Sequence, residues 1–411
     1  MPGPRVAYFL LWFPEPSQTF ILDEVNTMVR LGLDVRVYTL YGPRPPRRLA
    51  GMSRVLAPVH HLGLAATGTL FRDLRRLGRT WGPGAARFWR QVAVRRWRSL
   101  ETGGEALWAC LAGVHLAGIM TAEGIGHIHA PWADGPATAA WVASGLSGIP
   151  FSFCAHAQDI YPPDGALLEK ISAAAFLRTE NRSNLRYLSG LFPQTAGKMV
   201  NIYPGAPLAK AHVEPIAAIP PFRLLAVGRF VRKKGFSLLL EACRLLAAQG
   251  VDFRLTLAGD GPERSQLVKL IGEYDLAARV ELPGFVAHRE IARLLQQAHL
   301  FIMPSLVAPS GDRDGIPTVI LEALLHEVPV VATEVSGIPE VVIPGETGWL
   351  TPPEDPRALA RDMLAALSDP AEARRRARAG GALVAREFDS KTNYGRLKAL
   401  FEEATRPPAA G

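Results

Sequence analysis

The chain has 411 residues, past the size at which one hydrophobic core stops growing, so two domains are expected. Hydrophobic residues make up 48% and charged residues 20%, the balance of an ordinary globular protein with a sizeable core. Its three cysteines, Cys110, Cys154 and Cys243, are odd in number, far apart and without a CxxC pair, which argues against a disulfide framework or structural zinc site and for a reducing compartment.

The opening "MPGPRVAYFLLWFPEP" places Arg5 before a short apolar run. The run is only about eight residues and no small-residue cleavage site follows, so it reads as a first buried strand rather than a signal peptide. A helix over "SQTFILDEVNTMVRLG" ends at Gly32, and "DVRVYTL" is the next strand. Between Phe71 and Arg98 nine arginines stand against one acid, Asp73, with Trp81, Phe88, Trp89 and Trp97 among them. Arginine beside tryptophan suits an anionic membrane surface or a nucleic acid, and a solvated basic face with inward tryptophans is the plainer reading. No recognition motif accompanies the charge, which argues against nucleic acid. The run "ALWACLAGVHLAGIM", 106 to 120, is too short to span a bilayer and holds His115. The expected protein is soluble and cytoplasmic.

The strand "GHIHA", the helix "PATAAWVASGLSG", the strand "PFSFCAHA" and "AAFLRTE" complete the first half. Residues 206–221, rich in Ala and Pro, read as a linker between a first domain at 1–205 and a second at 222–385. The second half restarts with "FRLLAVG", the helix "GFSLLLEACRLLAAQG" and the strand "DFRLTLAG". A helix over 262–277 follows, then "RVELPG", "HREIARLLQQA", "LFIMPS", "PTVILEALLHE" and "PVVAT". The amphipathic tail, 386–411, is expected to return to the first domain. Strand and helix alternate in both halves, so the fold class is α/β, with two doubly wound, Rossmann-like parallel sheets.

Such sheets bind ligands at the carboxyl ends of their strands. After "LLAVG" come Arg229 and Lys234, in the turn before a helix, and several loop glycines stand after the other strands. Two cations and these glycines point to an anionic ligand, most simply a diphosphate. In "SGDRDGIPTVILEALLHE", Pro317 suits a first helical turn, so amides near Gly315 and Ile316 make a ready anion site. Glu322, eight residues after Asp314, can accept hydrogen bonds from vicinal hydroxyls such as a ribose offers, and Asp314 can reach the hydroxyls of a group beyond the phosphates. A nucleotide sugar satisfies all three features. A structural Glu322, paired with Arg229 or His326, is the bland alternative.

A nicotinamide oxidoreductase is the rival enzyme class. Gly259-x-Gly261 follows a strand, and Glu281 lies at the spacing of a ribose-binding acid. Against it, Glu263 occupies the third glycine position, where its charge would crowd a pyrophosphate, and "FPEPSQTF" has no glycine at all. A non-catalytic nucleotide-sugar-binding protein is the other alternative.

The blocks "VGRFVRKKGF", "LAGDGPER", "LPGFVAHREI", "DGIPTVILEA" and "VSGIPEVVIPGETGWLTPPEDPRALA" resemble, in order, those of the family 4 retaining glycosyltransferases, which have the GT-B fold of two Rossmann-like domains facing each other across a cleft. Asp314 and Glu322 match that family's Glu-x7-Glu motif with Asp in place of the first Glu. "FPEPSQTFILDEV", "HIHAPWADGPATAAWVASGLSGIPFSFCAHAQDIY" and "GDRDGIP" are similar to exopolysaccharide enzymes of the colanic-acid type. The resemblance covers most of the chain except roughly 45 to 125.

The resemblance implies transfer of a hexose from a nucleotide diphosphate sugar, UDP being the commonest base, to a glycan or lipid-linked acceptor in exopolysaccharide biosynthesis. It makes His156, Asp314, Arg229 and Lys234 the catalytic set: Arg229 and Lys234 on the diphosphate, Asp314 on the sugar, His156 towards the anomeric region. Glu322 would hold the ribose. Gly228, Gly259, Phe285, Gly315, Ile316 and Pro317 complete the donor-binding residues. Ser17, Thr19 and Asp159 stand on the acceptor side, with Gln18 where related enzymes have Glu. No cofactor and no metal are expected. His127 and His129 alternate along a strand in a metal-ligand geometry, but no third ligand is evident. The Arg/Trp segment would then hold the protein peripherally on the anionic inner face of the cell membrane.

Overall fold

The computed structural model describes residues 3–15, 18–45, 52–63, 68, 100–161, 166–206 and 219–406. The Arg/Trp segment at 71–98, Ser17 and the linker residues 207–218 lie outside the described residues. The chain divides into two compact units, Met1–Gly205 with Ser390–Gly411, and Ala206–Asp389.

The first unit holds a seven-stranded sheet in the order β3-β2-β1-β4-β5-β6-β7. Its strands are β1 (Arg5–Leu10), β2 (Asp34–Thr39), β3 (Val59–His61), β4 (His127–Ala130), β5 (Phe151–Ala155), β6 (Phe176–Thr179) and β7 (Met199–Asn201), all paired in parallel. Covered on both faces, β1 is buried over five of its six residues, so its sequence runs continuously apolar instead of alternating. Phe9, Ile128 and Phe153 pack on one face under the helices Leu100–Ala122 and Gly135–Ser147. On the other face Tyr8 and Val25 pack with Tyr394, Leu397 and Phe401 of the last helix, Ser390–Ala404.

The helix Leu100–Ala122 corrects the expectation for 106–120. It runs 23 residues, and its 104–122 stretch is long and apolar enough, by length and composition, to cross a membrane. In this protein 56% of that window is buried inside the unit. Gly113 lets the helix press onto its neighbour, because an added Cβ would collide with the Ala139 carbonyl oxygen.

The second unit holds a six-stranded sheet in the order β10-β9-β8-β11-β12-β13. Its strands are β8 (Phe222–Val227), β9 (Phe253–Ala258), β10 (Val280–Gly284), β11 (Leu300–Met303), β12 (Val330–Thr333) and β13 (Trp349–Thr351). Counted from its own first strand the order is 3-2-1-4-5-6, that of a Rossmann fold, and β8 and β11 flank the point where it reverses. The second unit runs to Asp389, four residues past the boundary expected at 385. Helix Pro370–Glu387 belongs to the second unit, the chain breaks at Phe388 and Asp389, and Ser390–Ala404 starts anew in the first unit. Asp369 caps the earlier of these helices by accepting from the Glu372 amide, with Pro370 at its first position.

Candidate active site

In the second unit the site is built at the carboxyl ends of β8 and β11. Past β8 the chain makes a short turn, Arg232–Lys234, and enters helix Phe236–Ala248 through Gly235. Gly235 has a φ of +66°, and a Cβ there would collide with the Pro304 carbonyl oxygen. Glycine therefore lets the β8 loop lie directly on the β11 loop, where the Leu306 amide donates to the Lys233 carbonyl at 2.7 Å.

This approach brings the lysines to Asp314. Lys234 Nζ is 2.8 Å from Asp314 Oδ2, and Ser305 Oγ donates to the same oxygen at 2.9 Å. Lys233 Nζ bonds Asp312 Oδ1 at 3.0 Å and lies 3.9 Å from Asp314 Oδ1. Asp314 is 9% exposed, and a carboxylate so far removed from water needs such partners. Lys234 and Asp314 were singled out in the sequence, whereas Lys233 and Ser305 were not. Ser305 was legible only through its place two residues after β11.

The other donor-side positions surround this pair in sequence but differ in setting. Arg229 is exposed on the β8 loop. Pro317 stands at the cap of helix Thr318–Leu325 rather than inside its first turn, so Gly315 and Ile316 precede the helix. Gly315 accepts a long bond from the Gly337 amide at 3.3 Å. Glu322 is half-buried on that helix. His326 Nδ1 meets the backbone carbonyl of Glu322 at 3.1 Å. Phe285, after β10, is 83% exposed.

The glycines of "LAGDGPE" have a packing explanation. A Cβ on Gly259, at φ +146°, would collide with the Gly228 carbonyl oxygen, and one on Gly261 would crowd the Phe230 backbone. The two loops are stitched by Phe230 N–H to Asp260 O at 2.8 Å and Glu263 N–H to Phe230 O at 3.0 Å. Gly259-x-Gly261 thus serves loop-to-loop contact, and no dinucleotide is needed to account for it.

In the first unit His156 follows β5 and opens a single turn, Ala157–Ile160. The β5–β6 register pairs Ala155 with Thr179, which sets Glu180 beside His156. His156 Nε2 lies 2.9 Å from Glu180 Oε1, and its ring packs on Trp132 with centroids 4.2 Å apart. Burial opposes a charged imidazole, but the Glu180 carboxylate outweighs it and holds the His156 pKa well above its ordinary value. Burial likewise raises Glu180, and His156 overcomes this to bring it below the usual carboxylate range. Glu180 was missed in the sequence, although it too follows a strand end.

Asp159 has a different task from the acceptor contact expected of it. One oxygen accepts from the His156 amide at 2.7 Å and the other from the Ala133 amide at 2.6 Å. Both oxygens are spent on the backbone, tying the loop after β4 to the turn carrying His156. Burial pushes its carboxyl up to about 7, against the pull of His156 and the two amides. Thr19 begins helix Thr19–Arg30 and is exposed.

Below these groups lies a buried pair. Arg178 bonds Glu24, its Nε donates to the Ile202 carbonyl at 2.9 Å, and Tyr8 OH donates to Glu24 at 3.1 Å. Arg178 sits on β6 two residues before Glu180, so this network anchors the strand that aims Glu180 at His156. His127 Nε2 and His129 Nδ1 share the Ser152 hydroxyl at 2.7 and 2.9 Å. Burial lowers the His127 pKa to about 3, so its ring is neutral. A different trio has metal-ligand proximity: the donor atoms of Cys154, His156 and Glu180 lie within 4.8 Å of one another.

Residues 216–382 match the family model for glycosyl transferases group 1. The chain is 29% identical over 383 residues to a putative colanic acid biosynthesis glycosyltransferase, WcaL, of Escherichia coli K12, covering 88% of this chain and 90% of that one. It is 40% identical over 182 residues to the amylovoran biosynthesis glycosyltransferase AmsK of Erwinia amylovora, covering 44% and 45%. The crystal structure of Anabaena HepE in complex with UDP and glucose superposes with a TM-score of 0.67 at 20% identity, covering 96% of this chain and 98% of that one, and shares the fold. These similarities favour a transferase over the oxidoreductase alternative. Over residues 216–382 the chain is similar to the group 1 glycosyltransferases, and it shares the GT-B fold of two Rossmann-like domains.

Proposed function

We propose that the chain transfers a hexose, with retention of anomeric configuration, from a UDP-sugar to a lipid-linked glycan in exopolysaccharide biosynthesis. The observation that carries the reading is the Lys234–Asp314–Ser305 cluster at the β8–β11 switch point, where Lys234 Nζ stands 2.8 Å from Asp314. An arriving diphosphate competes with Asp314 for Lys234, and Arg229 on the same loop adds a second cation. The freed Asp314 carboxylate then accepts from sugar hydroxyls, and Glu322 accepts from the ribose. Similarity to WcaL and AmsK supports the pathway.

Leaving-group charge falls to Arg229, Lys234 and the amides ahead of helix Thr318–Leu325, a preorganised arrangement that gives catalysis without a metal. His156, held by Glu180, is assigned to the sugar's hydroxyls near the reacting carbon. Front-face attack accounts for retention. The Arg/Trp segment at 71–98 places the protein on the anionic inner leaflet, close to a lipid-linked acceptor.

The test is a thermal-shift panel with UDP, GDP, ADP and NAD on wild type and Glu322→Ala. A nucleotide at about one hundred times its dissociation constant stabilises the fold by roughly 2.7 kcal/mol. A shift with UDP that disappears in the variant is expected, and a shift with NAD alone overturns the reading. EDTA should not lower transfer. Replacing Arg87, Arg90, Arg95 and Arg96 together should reduce co-sedimentation with anionic liposomes.

A further inference from the structure

Cys154 on β5 and His156 just beyond it are two residues apart, so in extended chain their side chains leave the same face. The register with β6 adds Glu180 from the neighbouring strand end. His156 Nε2 is 4.0 Å from Cys154 Sγ and 2.9 Å from Glu180 Oε1. Among the described residues this is the one group of three His, Cys, Asp or Glu side chains with donor atoms so close together. An ion bound at about 2.0–2.3 Å from sulfur, nitrogen and oxygen can reach all three after a small rotation of the carboxylate. Behind the ring, His156 Nδ1 lies 3.9 Å from Asp159 Oδ2, beyond hydrogen-bond distance.

We infer that Cys154, His156 and Glu180 form a binding site for a thiophilic divalent cation, zinc being the ion that suits them, and that filling it withdraws His156 from sugar transfer. The second clause rests on the proposed role of His156, and the first does not. A thiolate with an imidazole and a carboxylate selects zinc over magnesium or calcium, which prefer oxygen alone. Three protein ligands leave a fourth position open to water. On binding, bonds form from the metal to Cys154 Sγ, His156 Nε2 and a Glu180 oxygen. The thiol proton and the proton of the His156–Glu180 hydrogen bond leave to solvent, and no electron is transferred. The ion is an inhibitor here and takes no part in the chemistry proposed above.

Full-length protein, stripped with a chelator, is titrated with Co²⁺ as an optical stand-in for zinc. The expected result is a thiolate-to-cobalt charge-transfer band that saturates at one equivalent, disappears on adding Zn²⁺, and is absent in Cys154→Ala. Cys110 and Cys243 are buried and remain in that variant, so they serve as internal controls. Glu180→Gln, close in shape, should weaken cobalt binding at least tenfold. A wild type without the band, or a band that survives Cys154→Ala, overturns the site. In transfer assays Zn²⁺ should slow the wild type, whereas Cys154→Ala, compared with its own metal-free rate, should resist Zn²⁺. Zinc that binds without slowing the wild type overturns the withdrawal of His156. The cobalt titration needs no sugar donor, so it decides the metal site whatever becomes of the transfer reading.

Discussion

The two units share one wiring and use it in opposite ways. Each is a parallel sheet whose central strands run 3-2-1-4-5-6 from its own start, and each gathers its chemical groups at strand carboxyl ends. In the first unit the groups are buried side chains held by partners: Glu24, on helix Thr19–Arg30, with Arg178, His156 with Glu180, and Asp159 with two backbone amides. In the second, backbone does most of the shaping. Gly235 and Gly259 let loops lie on loops, and lysines on those loops hold Asp314. A buried charge network sets geometry through partners distant in sequence, whereas a glycine loop sets it locally and leaves room for a ligand. The family model matches within the second of these plans, over 216–382.

The comparison is sharpened most by breaking the first unit's network. Arg178→Ala strands Glu24 in the interior and should cost about 3–5 kcal/mol in denaturant unfolding. Replacing both, as Glu24→Leu with Arg178→Met, should recover much of that loss. A single-variant cost below about 1 kcal/mol would remove the network from its structural role.

The equivalent test of the second unit is Gly235→Ala, expected to cost roughly 2–4 kcal/mol because strain at positive φ adds to the clash with Pro304. Gly250, at φ +78° with open space around its Cα, is the control. Gly250→Ala should cost only about 1 kcal/mol. Equal losses at the two positions would refute the loop-on-loop argument.

Lys234→Ala should lower transfer about 100-fold, equivalent to about 2.7 kcal/mol of barrier, and should also lower stability, because Asp314 then keeps only Ser305 and the more distant Lys233. Turnover within a factor of three of wild type would detach Lys234 from the leaving group.

The gentlest effect is a pH slope in the first unit. Asp159 takes up its proton at about 7 when folded, against an ordinary value of 3.8. Between these values the folded state binds more protons than the unfolded one, so stability falls as pH rises through that window. His156, also raised, adds stability that is lost as pH climbs past its folded pKa, and Glu180, lowered, contributes only above its unfolded value. Urea midpoints at pH 5 and pH 7.5 should therefore differ more in wild type than in Asp159→Asn. An unchanged difference would show that Asp159 is ionised throughout.

Much of the second unit was legible because its signals are local. Lys234 and Gly235 stand side by side in "VRKKGF", and Asp314 and Glu322 share one loop and helix, so each could be placed from neighbours a few residues away. Pro317 was misplaced by one position, since sequence alone does not separate a cap from a first turn. Gly259 and Gly261 were visible, yet the sequence could not tell a ligand from the Gly228 and Phe230 backbone as the reason for them.

By itself the sequence determined the alternation of strand and helix, the parallel sheets and the motif order, because hydrophobic period, turn residues and helix starts are properties of adjacent residues. Only tertiary structure decided that Arg178 meets Glu24 across 154 positions, that Glu180 lies against His156, and that Asp159 is consumed by two amides. It also decided that the apolar helix Leu100–Ala122 packs with more than half of its apolar window inside the first unit. Those outcomes follow from strand register and burial, which bring together groups far apart in the chain and set a charge according to the partner it finds.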